Sequence, residues 1–193
     1  MKILFKATVS HHAVYGMSLQ IQQIDPLHTI GDMERRKQLC IEQLQKEGVW
    51  EQNRSLPMPL VAQRVAVISS ATAAGYQDFM KELGRSVYRI ETELFEATMQ
   101  GERCDESIVA ALYAIAERKE EFDAVAIIRG GGSTSDLECY NSYLLAFAVT
   151  QFPLPVLTGI GHDKDTSVID MVAHTMLKTP TAVAAWIDQR AAD

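Results

Sequence analysis

The 193-residue chain holds no apolar run long enough to cross a bilayer, and its amino terminus lacks the basic stretch, apolar core and small-residue cleavage site of a secretory signal. The expectation is a soluble, cytoplasmic protein with no membrane partner. Cysteine is scarce: Cys40, Cys104 and Cys139 are odd in number and widely spaced, and no CxxC pair suggests zinc or disulfide exchange. Reduced, structural thiols are expected. Positive charge is also short, with 18 Lys and Arg against 25 Asp and Glu and a net charge of −7. That balance argues against a broadly basic surface that coats nucleic acid, while leaving room for a local positive cleft. There is no internal repeat and no low-complexity tract. With 47% hydrophobic residues, the length supports one main core with a small appendage.

Two apolar or alternating runs open the chain, Ile3 to Val9 and Met17 to Ile24, with Gly16 placed to take the turn between them. Residues 1–26 therefore read as a β-hairpin. A lone hairpin is marginal in water, so this one is expected to be the tail of a larger β-domain. Residues 27–60 read as a helix and a linker: Thr29 to Gly48 spaces Ile30, Met33, Leu39, Ile41 and Leu44 among charges, and Pro57 and Pro59 mark an extended stretch.

From residue 61 to 193 strand and helix patterns alternate. Strands are expected at Val65 to Ser69, Ile90 to Phe95, Ala124 to Ile128 and Val156 to Ile160. Helices are expected at Thr72 to Leu83, from an Asp105 cap to Glu121, at Leu137 to Gln151, and as two shorter pieces of Thr166 to Ala192 split before Pro180. The pattern predicts an α/β fold, a doubly wound and mainly parallel sheet of about four strands with helices on both faces.

The stretch Ala124 to Ser135, AVAIIRGGGSTS, is the centre of that pattern. A buried strand runs into Arg129, whose planar fork suits phosphate or carboxylate, and then into three glycines whose backbone N–H groups could face an anion. In a doubly wound sheet ligands sit beyond the carboxyl ends of the strands, so Ser69 and Ser70, Arg129 to Gly132, and Gly161 with His162 fall on one edge. Each loop alone is also an ordinary tight turn; together with Arg129 they predict a phosphate pocket. His162 and Asp165, three apart after a buried strand, suit a proton-transferring imidazole with a carboxylate that fixes its tautomer or holds a metal. The plainer reading is an Asp helix cap beside a solvated histidine. Asp78, Asp136 and Asn141 read on spacing alone as a solvated helix face, a cap and a surface polar residue. A small-molecule kinase or transferase that uses the glycine loop for a nucleotide, and a noncatalytic assembly domain, are the alternatives. The absence of Lys-Ser/Thr after the glycines argues against a P-loop.

Four segments in order, YGMSLQIQQIDPLHTIGDMERRK (15–37), VAVISSATAAGYQD (65–78), IIRGGGSTSDLECYN (127–141) and GIGHDKDTSVIDMVAHTMLKTPTAVAAW (159–186), resemble the large subunit of bacterial exodeoxyribonuclease VII. The resemblance implies an exonuclease that hydrolyses single-stranded DNA from either end into oligonucleotides, in a hetero-oligomer with a small helical subunit. By position it places the catalytic residues on Asp78, Arg129, His162 and Asp165. Ser69, Ser70, Gly130, Gly131, Gly132 and Ser133 are then the candidate phosphate ligands, and Asp78 and Asp165 the candidates to hold Mg²⁺. Residues 1–26 would be the remnant of an OB-fold, and 61–193 the catalytic domain. This sequence departs from the family pattern at Ser70-Ala71-Thr72-Ala73, at Asp163-Lys164 and at Ser142.

Overall fold

The structure, a computed structural model, describes residues 4–12, 15–131, 134–161 and 166–192, with backbone alone for 4, 24–30 and 134–136. Contacts divide the chain into two compact units, Met1–Leu39 and Cys40–Asp193. In the first, β1 (Leu4–His12) and β2 (Gly16–Asp25) pair antiparallel with a bulge between Lys6 and Ala7. Alternation makes the hairpin two-faced: Val9 lies opposite Leu19 and Ala7 opposite Ile21, while Ser10 bonds Ser18 at 2.7 Å on the other side. Val9, Leu19 and Ile21 are exposed on the apolar face. Helix α1 (Pro26–Lys46) follows.

The second unit is a parallel sheet of five strands in the order β4-β3-β5-β6-β7. Its strands are β3 (Arg64–Ser69), β4 (Glu91–Glu96), β5 (Ala124–Ile128), β6 (Val156–Gly159) and β7 (Thr175–Met176). The helices between them are α2 (Ala74–Leu83), α3 (Cys104–Ala116), α4 (Tyr143–Thr150) and α5 (Val168–Val172), and α6 (Pro180–Ala192) closes the chain. The sheet is doubly wound because its core strands are apolar on both faces. Val65, Val67, Ala124, Ala126 and Ile128 pack against Phe79 and Leu83 of α2 and Val183 and Ile187 of α6. Ala66, Ile68, Val125 and Ile127 pack on the other face against Ile108, Leu112 and Ile115 of α3 and Leu145 and Val149 of α4. All five residues of β5 are buried, as a continuous apolar run requires when helices cover both faces.

Several details differ from the expectation. The sheet has a fifth strand, β7, of only two residues, too short to leave a pattern. The single helix expected at Leu137 to Gln151 is a 3₁₀ helix, Thr134–Asn141, and then α4, separated by an extended Ser142. Asp105 lies inside the first turn of α3, where its Oδ1 accepts from the Glu106 N–H, and not at the cap. Cys104 and Cys139, expected to be reduced, are joined as a disulfide with Cα atoms 5.9 Å apart. Their 35-residue separation hides the meeting of α3 with the 3₁₀ helix. Cys40 is free and buried, and burial pushes its thiol up to about 11.

The stretch after α1, read as a linker, is built into the α/β unit through Asn53. Its Nδ2 donates to Phe152 O at 3.1 Å and Leu154 O at 2.9 Å, while its Oδ1 accepts from the N–H groups of Val156 and His174 at 3.0 Å each. A fully buried amide thus satisfies all four of its hydrogen-bonding capacities.

Candidate functional site

A cleft of about 520 Å³ opens at the carboxyl ends of β3, β4 and β5. It is lined by Ser70, Thr72, Ala73 and Ala74 after β3, Glu96 to Gln100 after β4, Ser107 of α3, and Arg129, Gly130 and Gly131 after β5. The sheet order puts this at the switch point, where the chain leaves β3 to one side and β5 to the other and the two loops part. No side chain caps the amino terminus of α2, so the cleft meets the positive end of a ten-residue helix dipole at Ala73 and Ala74.

Arg129 is fixed as β5 ends. Its N–H donates to Gly159 O at 3.2 Å, and its guanidinium carbon lies 6.0 Å from the centre of the Tyr140 ring. Arg129 is only 4% exposed, with the Tyr140 ring of the 3₁₀ helix beside its guanidinium. Tyr140 is fully buried and donates its hydroxyl to Met99 O at 2.7 Å, so one ring links the arginine to the loop after β4. Asn141, read as a surface residue, accepts from the Val168 N–H at 2.9 Å and ties the same 3₁₀ helix to the start of α5. There Ser167 and Asp170 form a reciprocal capping box.

Gly130 touches Gly75 of α2 backbone to backbone. A Cβ built on Gly75 would lie 2.4 Å from Gly130 N, and one on Gly130 would lie 2.7 Å from Gly75 N. Close approach of two chains, and not only anion binding, therefore demands glycine at 130. Gly131 is different: it lines the cleft, and a Cβ there meets nothing within 4 Å. Gly131→Ala is accordingly expected to leave the melting temperature within about 2 °C, as changes away from packed features do. If substrate phosphate approaches that backbone, KM should rise in the same variant; steady-state kinetics beside a thermal melt checks both.

Of the other predicted residues, Ser70 lines the cleft, whereas Ser69 does not. Ser69 is fully buried and its Oγ donates to Ile128 O at 2.9 Å, across to the neighbouring strand. Asp78 is exposed on α2 one turn beyond Ala74, on the same helix face but outside the lining. Gly132, Ser133, His162 and Asp165 lie outside the described residues. Gly161, which precedes His162, has φ +25°, and a Cβ on it would fall on the carbonyl of Lys178. Among the described residues no group of three or more His, Cys, Asp or Glu is arranged to hold a metal ion. No helix among them is long and apolar enough to cross a membrane. Sequence reasoning missed Gly75, Tyr140 and Glu96. Only Glu96 left a signal, as the last residue of a strand on the ligand edge.

The family model described as "Exonuclease VII, large subunit" matches residues 49–193. An exodeoxyribonuclease 7 large subunit of Deinococcus radiodurans is 38% identical over 191 residues, covering 97% of this chain and 46% of that protein. Its namesake in Lactobacillus delbrueckii subsp. bulgaricus is 34% identical over 185 residues, covering 95% and 40%, and that of a Nostoc species 36% identical over 155 residues, covering 80% and 37%. The chain spans less than half the length of these relatives. A crystal structure of a 3-dehydroquinate dehydratase-like protein from Bifidobacterium longum overlays with a TM-score of 0.37 and 18% identity over 67% of this chain and 96% of that one, too distant a likeness to inform fold or function.

Proposed function

Since the chain belongs to the exonuclease VII large-subunit family, we propose that it carries the phosphodiester-cleaving site of a cytoplasmic nuclease that degrades single-stranded DNA from either end and works with a small subunit. The observation that supports this most is Arg129, nine-tenths buried yet lining a cleft at the switch point, beside glycine backbone and the uncapped start of α2. A fixed guanidinium and backbone N–H donors suit a phosphodiester, whose negative charge grows as the bond to the leaving oxygen breaks. Donors already in place need no reorganisation at that moment, commonly the largest electrostatic contribution to such chemistry.

In this reading Arg129, Gly130 and Gly131 hold the scissile phosphate. His162, one residue past Gly161, takes a proton from the attacking water or gives one to the leaving oxygen. Asp165 either orients the imidazole or joins Asp78 in holding Mg²⁺. In the assembled enzyme, His162→Ala should abolish most cleavage of a labelled single-stranded oligonucleotide without lowering the melting temperature. Asp165→Asn separates the two roles: added Mg²⁺ should partly restore turnover if Asp165 is a ligand and leave it unchanged if the carboxylate only orients His162. Incubating the same protein with ATP tests the kinase or transferase alternative. Turnover of ATP with intact DNA would displace the nuclease reading, and no turnover of either would favour an assembly role.

A further inference from the structure

We propose that Glu96 tunes the affinity of this cleft for substrate phosphate, its carboxylate occupying donors of the loop after β3 that the phosphate would otherwise use. The inference rests on the nuclease reading and deepens it. Glu96 is the last residue of β4 and lines the cleft with Arg129 and Gly131. Its Oε1 accepts from the Ala71 N–H at 3.1 Å and from Ser70 Oγ at 3.4 Å. An anion supplied by the chain itself therefore sits on a backbone N–H of the loop that leads into α2.

Ala71 N–H and Ser70 Oγ are the kind of donors that hold a phosphate oxygen at the start of a helix. A carboxylate and a phosphodiester cannot share them, because two like charges at that separation repel and each prefers the donors alone. A bound strand must displace the carboxylate or tolerate it nearby, and either way Glu96 weakens binding of the anion. Ser70 also approaches Thr72 Oγ1 at 3.3 Å, and Gln77 Nε2 donates to Ala71 O at 2.7 Å, so the loop keeps other supports when Glu96 moves. Glu96 thus tunes affinity at a phosphate position beside Arg129 and is not required for the chemistry.

The test compares Glu96→Gln with the parent in the assembled enzyme, using a single-stranded oligonucleotide as substrate and inorganic phosphate as competitor. The glutamine carbonyl can still accept from Ala71 N–H, so the loop is preserved while the charge is removed. KM should fall about three- to fivefold, the size expected of a solvent-screened charge, with kcat within about twofold of the parent. The phosphate inhibition constant should fall in parallel, and both differences should shrink as salt is raised. An unchanged or raised KM with an active parent overturns the inference. A large loss of kcat also overturns it, by placing the carboxylate in the chemistry. A parent that cleaves no DNA at all fails the nuclease reading instead, whatever Glu96 does.

Discussion

Replacing Arg129 by methionine is expected to lower cleavage of single-stranded DNA by roughly a hundredfold to a thousandfold, the loss that follows removal of one donor aimed at transition-state charge. Methionine is preferable to alanine because Arg129 is only 4% exposed and packs near the Tyr140 ring. Truncation to alanine would leave a void above Tyr140 and confound activity with stability. Methionine fills much of the space and removes every side-chain N–H donor, and a thermal melt beside the assay separates loss of rate from loss of stability. Arg129→Lys adds a second comparison: charge is retained and the planar fork is lost. If lysine restores most of the rate, a point charge suffices; if it does not, paired donation to two phosphate oxygens is what the site needs. Full activity in the methionine variant would remove Arg129 from the reaction.

Gly75→Ala should be a damaging small change in the unit. The new Cβ lands 2.4 Å from Gly130 N and 2.5 Å from Gly130 Cα, and both obstacles are backbone. No side-chain rotation relieves the clash, so α2 and the loop after β5 have to separate. Forced overpacking of this kind costs about 1–3 kcal/mol, which in a domain of this size lowers the melting temperature by roughly 3–10 °C. Activity should fall further, because the shift moves Gly130 and Arg129 relative to the start of α2, and a misplacement of about 1 Å can cost a hundredfold in rate. Gly131→Ala, whose Cβ meets open space one residue from Gly130, is the matched control. Equal melting temperatures for the two variants would show that the loops do not touch as described.

The sheet was readable because its physics is local to each strand. A continuous apolar run such as Ala124–Ile128 leaves few choices besides a strand covered on both faces, and the run's end marks the ligand edge. Arg129, Gly130, Gly131 and Ser70 follow or end those runs, and they line the cleft at that edge. What stayed hidden was every contact made across the sequence. Nothing near residue 75 announces that its glycine is needed by one 55 residues later. Tyr140 reads as a core aromatic, and only the fold shows its hydroxyl on Met99 O and its ring near Arg129. Ser69 shows the converse. In the sequence it adjoins Ser70 as an equal, but strand alternation sends its hydroxyl to the neighbouring strand's Ile128 carbonyl.

Asn53 sets where the α/β unit can be divided. One side chain clasps two carbonyls before β6, the first N–H of β6 and the N–H that precedes β7. A cut placed at the first strand of the sheet would keep every strand and still strip four inward-facing main-chain groups of their shared partner. The modular boundary is therefore a matter of polar accounting in the polypeptide backbone and falls ahead of the sheet, among residues that no hydrophobic pattern marks. Any recombined or transplanted version of this fold has to carry that amide with it, or replace it with another group offering two donors and two acceptances in the same place.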